Sequence, residues 1–297
     1  MKNNDIFTFR RFGKYFASDL RSCSANYGLS LLTISLLTPL ATYAIFLIFS
    51  IILGEGWTGL SMGTRASIFS IAMICLIVTM PVKCYGKITE KQYGTFWLTL
   101  PASRLEKMLS MVIITCVIVP VLGFVLYLGM DALICTIDHT CGESIISAVT
   151  GLLSGVGVLS REMVEFQINL GYEGIIIEDS TMNVIKQLSS PWLYIDDFFG
   201  ITLPFLLGAI FFKSGKTVKT VISMAAITTA VSIIFVPFIL EYMGGFMSEF
   251  GDDIANANAL LNSGIFKNMV LIDTISDTIV NLALLTGIWF RIKTLKH

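Results

Sequence analysis

The chain has 297 residues, of which 55% are hydrophobic and only 14% are charged. Soluble domains carry about 25% charged residues, and a soluble core has no need of so many uncharged runs long enough to cross a membrane. The formal net charge is −1, and no nucleic-acid partner is expected. The composition excludes an ordinary soluble enzyme and predicts an all-α, polytopic membrane protein.

An amphipathic helix within residues 1–28 is the first predicted element. Apolar side chains recur there at helical spacing, with basic side chains between them. The apolar positions are Phe9, Phe12, Phe16 and Leu20, and the basic positions are Arg10, Arg11 and Lys14. Such a helix is expected to lie along the inner membrane surface, in contact with lipid. The alternative is a disordered basic tail.

Six apolar runs follow, each close to the ~20 residues that a helix needs to cross roughly 30 Å of hydrocarbon. They comprise residues 29–53, 66–82, 108–130, 192–212, 221–240 and 269–290. Five of the runs hold a proline, which indicates kinked and packed helices rather than breaks. We therefore predict one membrane domain, residues 1–297, with six spans.

The distribution of basic residues predicts the orientation of these spans. With the N-terminus inside, sixteen of the twenty Lys and Arg residues fall on the cytoplasmic side. The four others are Arg65, Arg161, Lys186 and Lys267. The positive-inside rule then places both termini and the loop 83–107 in the cytoplasm, and makes residues 131–191 a large external segment.

One uncharged stretch, residues 145–159, complicates the count of spans. As a helix it is about 22 Å long, which is short for a full crossing. Ser147, Gly151 and Gly155 recur every four residues and form a small-residue face suited to close helix packing. We expect an external or re-entrant helix, and the alternative is a flexible Gly/Ser loop.

The loop 83–107 is too charged for lipid, and too aromatic and helix-prone for a plain spacer. Its polar part, residues 87–92, precedes an aromatic and apolar part, residues 93–100. Pro101 restricts the residue before it and can open a new helix. Ser103 and Glu106 fit an S-x-x-E capping box at the start of the third span. We predict two short helical pieces joined rigidly to that span.

The run YGTFWLTLPASRLEK, residues 93–107, resembles the cytoplasmic loop of ABC-2 type transporter permeases. Many of these carry a Leu-Pro-(Ala/Val)-Ser-(Arg) stretch and then Glu-Lys just before the third span. The basic N-terminal helix, the six spans and the two cytoplasmic termini are similar to that family as well. The resemblance covers the whole chain in layout, but its specific motif is about fifteen residues long.

This resemblance implies the permease subunit of an exporter in the bacterial cytoplasmic (inner) membrane. The subunit pairs with itself or with a similar permease, and a separate ATP-binding-cassette ATPase binds its inner face. ATP and Mg²⁺ then belong to the ATPase, and no cofactor is expected on this chain. The implied coupling residues are Lys87, Glu90, Lys91, Tyr93, Leu100, Pro101, Arg104 and Glu106. The long external segment 131–191 departs from better-known members, so the substrate class does not carry over.

No enzymatic or nucleotide site is predicted on this chain. Residues 214–217, SGKT, end like a phosphate-binding loop, but that motif requires a glycine where Ile210 stands, and a βα fold around it. A short basic cytoplasmic turn is the expected structure. The two histidines, His139 and His297, have no nucleophile or metal-ligand spacing around them.

Cys135 and Cys141 both fall in the predicted external segment. In an oxidising compartment they are a candidate short-loop disulfide, and the alternative is two free thiols near the membrane surface.

Asp273, Asp277 and Asn281 recur every four residues on the sixth span and therefore share one face. Charged residues within a span are costly and should face protein or water, so these three are candidates for a substrate path or a proton site. The alternative places the aspartates at the outer headgroups.

Two other functions stay open from the sequence. One is an ion- or proton-coupled secondary transporter that uses Asp277 and Asp273. The other is a membrane sensor or immunity protein that binds a ligand through residues 131–191.

Overall fold

The computed structural model describes residues 7–54, 56–147, 191–250 and 264–295, and all regular structure within these ranges is helical. The helices are α1 (Phe9–Leu32), α2 (Thr38–Leu53), α3 (Met62–Tyr85), α4 (Lys91–Thr99), α5 (Arg104–Ile113), α6 (Val119–Ile137), α7 (Pro191–Phe211), α8 (Lys216–Phe250) and α9 (Gly264–Thr294). Short 3₁₀ turns occupy Gly86–Thr89 and His139–Cys141. The all-α prediction is confirmed for these parts of the chain.

Four helical stretches in the described ranges are long and apolar enough to cross a membrane. They are Phe9–Leu53, Met62–Thr89, Arg104–Ile137 and Ile275–Thr294. A shorter apolar stretch, Phe198–Phe211, lies within α7. These helices indicate a membrane protein, while the count of six spans and their orientation stay predictions.

Two π-helical segments explain how the first and third long helices accommodate their prolines. Thr33–Leu37 joins α1 to α2, and Ile114–Ile118 joins α5 to α6. Each segment ends two residues before a proline, Pro39 or Pro120. A proline has no N–H, and in a regular helix its ring clashes with the carbonyl of the residue four positions earlier. That residue is the middle one of each π-helical segment, Ser35 or Cys116. The wider π turn relieves this clash, so the helices continue.

The N-terminal helix differs from the prediction of a separate surface helix within residues 1–28. It continues without a break into the first apolar run, because neither Gly28 nor the π turn ends it. Two of its four predicted apolar positions, Phe16 and Leu20, pack against the core of the protein. Tyr15 and Cys23 are buried, whereas Phe9 is 83% exposed.

Two helices extend beyond the apolar runs predicted as the second and third spans. α3 begins at Met62, so Arg65 lies inside it, and α6 continues to Ile137, so Asp131 lies inside it. The sequence placed both residues outside the spans because they are charged. In the structure each neutralises the other, so neither marks a helix end.

The chain divides into two compact units. The first comprises Met1–Ser147, Phe198–Thr220 and Asn281–His297, and the second comprises Ala148–Asp197 and Val221–Val280. The core of the first unit is built from fully buried side chains of α3, α5, α7 and α9, including Leu76, Met111, Leu206, Ile288 and Ile292. In the second unit the hydroxyl of Thr278 donates to Asp196 at 2.8 Å.

Within the first unit, the end of α7 packs very closely on the first turn of α8. Gly215, with φ +60°, makes the turn between them. A Cβ atom at Gly208 would overlap the Thr220 side chain, which is itself buried. Glycine at position 208 is therefore a condition for this helix contact.

We expect Gly208→Val to destabilise the protein by about 1–3 kcal/mol, because the added side chain must displace Thr220 from a packed contact. The check is the thermal unfolding midpoint of the purified protein in detergent. Gly129→Val is the matched control, since an added Cβ there meets nothing within 4 Å. Equal losses in the two variants would contradict the close contact.

Candidate functional site

The backbone between α3 and α5 forms a folded connection rather than a spacer. We refer to residues 83–107 as the connecting loop. The Gly86–Thr89 turn leads into α4 through Glu90 in an extended conformation. Leu100, at φ −59° and ψ 136°, then ends α4 immediately before Pro101. This turn and α4 match the two short helical pieces predicted from the sequence.

Ser103 and Glu106 form the predicted capping box, which connects the connecting loop to α5. The Ser103 hydroxyl accepts the Glu106 N–H at 3.2 Å, and the Glu106 carboxylate accepts the Ser103 N–H at 2.8 Å. The helix therefore starts at Arg104, not at Pro101 as the sequence allowed. The reason is that a serine cap with a reciprocal glutamate satisfies two otherwise unpaired N–H groups.

The same carboxylate also holds the start of α1. Glu106 is fully buried and accepts the backbone N–H of Thr8, the residue that precedes α1, at 2.9 Å. The Arg11 guanidinium pairs with it at 2.8 Å. Because negative charge is favoured at helix N-termini, one buried carboxylate stabilises the first turns of two helices. Glu106 is among the coupling residues that the resemblance implies, and because its side chain is buried it can act there only by positioning the two helices.

Lys107 attaches α4 to α5. Its buried ammonium donates to the carbonyl oxygens of Trp97 (2.7 Å) and Leu98 (3.2 Å), in the last turn of α4. The Trp97 ring lies beneath the same ammonium, 4.8 Å from its centroid. A cation at a helix C-terminus satisfies carbonyls that the helix leaves open, so α4 is held firmly against α5.

Asp19 connects three helices beside the connecting loop. One oxygen of its carboxylate accepts the Ser110 hydroxyl of α5 at 2.6 Å and the Tyr85 hydroxyl of α3 at 3.0 Å. Since Asp19 belongs to α1, this single group joins α1, α3 and α5.

Lys216 joins the other basic turn to the connecting loop. Its ammonium donates to the Gly86 carbonyl and, at 2.7 Å, to the Thr89 hydroxyl. Partial burial lowers the pKa of Lys216, and the nearby Glu90 carboxylate opposes that shift. The sequence predicted only a short basic turn at residues 214–217. The structure adds that Lys216 in this turn holds the Gly86–Thr89 turn in place.

The remaining predicted coupling residues divide into exposed and packed groups. Exposed side chains belong to Lys87, Glu90, Tyr93, Pro101 and Arg104. Leu100 is half-buried and packs against the core, and the Lys91 side chain lies outside the described part.

Phe96, which the sequence analysis did not single out, is 62% exposed. It lies three residues after Tyr93 and so shares its helix face. Its spacing from Tyr93 is the sequence signal that could have identified it. The exposed face of α4 therefore carries two aromatic side chains among the exposed polar residues Gln92, Thr95 and Thr99.

A buried ion pair lies near the other end of the continuous α5–α6 helix. Arg65 and Asp131 are 5% and 2% exposed, and their charged groups are 2.9 Å apart. The guanidinium also donates to the backbone carbonyls of Leu60, Cys141 and Glu143. Asp131 additionally accepts the Ile145 N–H at 2.8 Å. The pair thus organises the chain that follows α6.

Asp138 binds the neighbouring segments together just beyond α6. It accepts hydrogen bonds from the Tyr43 hydroxyl at 2.8 Å and the Trp57 indole N–H at 2.6 Å. The Thr140 hydroxyl, and after it Trp57 and Tyr43, lower the pKa of Asp138. A lowered pKa means that this stabilisation is present at neutral pH and is lost only as the pH falls through the folded-state value.

A small cleft beside this ion pair is lined by Tyr43, Leu60, Tyr127 and Ile134 in addition to the paired charges. Its interior volume is about 10 Å³, which is room for roughly one water molecule. The cleft is too small for an organic substrate.

Cys135 and Cys141 are both free thiols here, so the candidate disulfide is not formed in this structure. Both sulfurs have polar neighbours, because Arg65 donates to Cys135 and Cys141 lies beside Asp138.

On α9, Asp277 is half-buried in the second unit and Asn281 is buried in the first. The side chain of Asp273 lies outside the described part of the chain, as do residues 148–190 of the predicted external segment. Among the residues that are described, no cluster of three His, Cys, Asp or Glu side chains could hold a metal ion.

The comparisons with known proteins are negative: no family model, curated protein or solved structure matches this chain.

We expect Glu106→Ala to lower the free energy of unfolding by about 3 kcal/mol. The substitution leaves two N–H groups and the Arg11 cation without their acceptor. Thermal unfolding in detergent measures the loss. Glu90→Ala is the control, because Glu90 is exposed and does not cap α4 with its side chain. A comparable loss in both variants would show that Glu106 has no special role.

For the second polar site we expect strong coupling between Arg65 and Asp131. Arg65→Leu and Asp131→Leu should each cost about 3–5 kcal/mol, because each leaves an uncompensated buried charge. The double variant should lose clearly less than the sum. A double-mutant cycle of unfolding free energies gives the coupling, and additive losses would contradict it. Lys83→Leu, at an exposed lysine hydrogen-bonded to Ser30, controls for removal of a surface cation.

Proposed function

We propose that this chain is the permease subunit of an ABC-2 type exporter, and that a separate ATP-binding-cassette ATPase docks on the connecting loop. One observation carries the proposal. The exposed aromatic side chains of α4, Tyr93 and Phe96, belong to a loop that is bonded to the start of a long apolar helix. The likeness of residues 93–107 to the family's loop supports the same conclusion.

The attachments of the loop suit it to transmit force. Lys107 bonds the last turn of α4 to the first turn of α5, and the Glu106 carboxylate joins that turn to α1. Lys216 holds the Gly86–Thr89 turn to the first residue of α8. A displacement of α4 by a partner would therefore move α5 and the helices bonded to it. A flexible loop would absorb the same displacement.

The chemistry of the exposed face defines the surface that the ATPase should present. Tyr93 is 36% exposed and Phe96 is 62% exposed, so the partner needs an apolar groove at its centre. Glu90 and Lys87 flank the aromatic face, and complementary charges on the groove rim would fix the orientation of docking. ATP and Mg²⁺ belong to the partner, and a second permease subunit completes the transporter in the bacterial cytoplasmic membrane.

The proposal is tested by purifying the protein from its native host in mild detergent. We expect an ATP-binding subunit to co-purify and to hydrolyse ATP in the complex. Absence of any such subunit would contradict the proposal. Proton-driven uptake by this chain alone, abolished by Asp277→Asn, would instead support the secondary transporter. A ligand response that depends on residues 131–191 would support the sensor.

The docking face makes a sharper prediction. Tyr93→Ala and Phe96→Ala should each weaken ATPase binding by about tenfold or more, because exposed aromatic anchors dominate such contacts. Membrane insertion should not change, and the unfolding midpoint of Phe96→Ala should stay close to the wild-type value because Phe96 is 62% exposed. Affinity is measured by titrating the purified ATPase onto the detergent-solubilised permease.

Phe290→Ala is the matched control for the docking face, since Phe290 is 57% exposed and lies outside the connecting loop. If the two loop variants bind the ATPase like the wild type, docking does not use this face.

A further inference from the structure

We propose that α1 carries a binding surface for anionic phospholipid headgroups, formed by Arg10, Lys14 and Arg21. We call these three residues the basic stripe. The proposal rests on the predicted orientation and on the membrane character of the helices, and it does not depend on an ATPase partner.

The basic stripe lies on the solvent-facing side of α1. At 3.6 residues per turn, its three side chains fall within about 40° of one another around the helix. All three are exposed. Asp19, which bonds α3 and α5, points about 180° away from Arg10 on the same helix. The neighbouring Arg11 is on the packed side, paired with Glu106.

Two contacts place the basic stripe at the level where the neighbouring helices enter the hydrocarbon. Arg11 is level with Glu106, two residues before the apolar run of α5 begins at Met108. Asp19 is level with Tyr85, the last residue of α3. Residues 11–19 therefore lie beside the predicted ends of two apolar runs. A headgroup layer of roughly 5–7 Å borders the hydrocarbon at that depth.

The same contacts show that the axis of α1 crosses the axis of α5 at a large angle. Between Arg11 and Asp19 the chain advances about 12 Å along α1. Their partners Glu106 and Ser110 are only about 6 Å apart along α5. The basic stripe, which extends about 16 Å along α1 from Arg10 to Arg21, therefore covers only about 8 Å of depth instead of projecting far from the membrane. An acidic soluble partner is less well suited to that position than a lipid headgroup.

Phe9 supports a membrane position for this face. The residue is 83% exposed and precedes Arg10, and aromatic side chains next to bases are typical of interfacial helices. Basic side chains near the membrane surface attract anionic lipid headgroups, whereas they have no net electrostatic attraction to zwitterionic headgroups. The basic stripe should therefore select anionic over zwitterionic headgroups around this helix.

The test uses the purified full chain in phosphatidylcholine vesicles with trace spin-labelled phosphatidylglycerol or spin-labelled phosphatidylcholine. The motionally restricted fraction of each probe gives its relative association with the protein. We expect the wild type to prefer phosphatidylglycerol. Arg10→Gln/Lys14→Gln/Arg21→Gln should reduce that preference by roughly fivefold or more, and Arg10→Lys/Arg21→Lys should retain it.

A charge-matched control variant is Lys213→Gln/Lys219→Gln/Lys293→Gln, which removes three exposed bases outside α1 and outside the connecting loop. We expect it to change the preference much less. An unchanged preference in the stripe variant, or an equal loss in the control, would overturn the proposal. The proposal would also be overturned if the wild type bound soluble poly-glutamate and only the stripe variant lost that binding. Such a result would assign the basic stripe to an acidic protein partner. If the triple variant fails to insert, the single variants at Arg10 and Lys14 decide the question.

Discussion

One buried carboxylate holds together the end of the molecule where the connecting loop lies. Glu106 is fully enclosed, yet it accepts the N–H groups that open two helices and the guanidinium of Arg11. An enclosed charge persists only where every acceptor position is used. The position of α1, the start of α5 and the course of the loop between α3 and α5 all satisfy that requirement together. The next residue, Lys107, then bonds the last turn of α4 to the start of α5.

The same constraint acts near the other end of the α5–α6 helix. Arg65 and Asp131 would each be costly alone in an apolar helix, but together they neutralise each other. Arg65 also donates to the Cys141 carbonyl, and Asp131 accepts the Ile145 N–H, in the chain that follows α6. The two buried polar centres differ in what surrounds them. The first supports a loop with exposed aromatic side chains, whereas the second encloses a cleft with room for about one water molecule. The proposed contact with an ATPase therefore concerns the first, whereas the second stabilises the fold.

Features that depend on neighbours in sequence could be predicted from the sequence, and those that depend on distant partners could not. The capping box of Ser103 and Glu106 spans three residues and was predicted. Lys216 and Gly86 are 130 positions apart, and no local pattern links them. Arg65 and Asp131 were read as markers outside the spans, because a charge that stands alone in a sequence has no visible partner. Phe96 was missed although its spacing from Tyr93 was available.

The sequence by itself determined the membrane character, the all-helical class and the chemistry of the connecting loop. Apolar runs of spanning length, and capping residues three positions apart, have only a few physical solutions. Only the tertiary structure decided which charges are buried, where the helices end and which aromatic side chains remain exposed. Those outcomes follow from groups that are remote along the chain and compete for the same hydrogen-bond partners. Glu106 shows the difference, since its role at α5 is local, whereas its role at α1 required the fold.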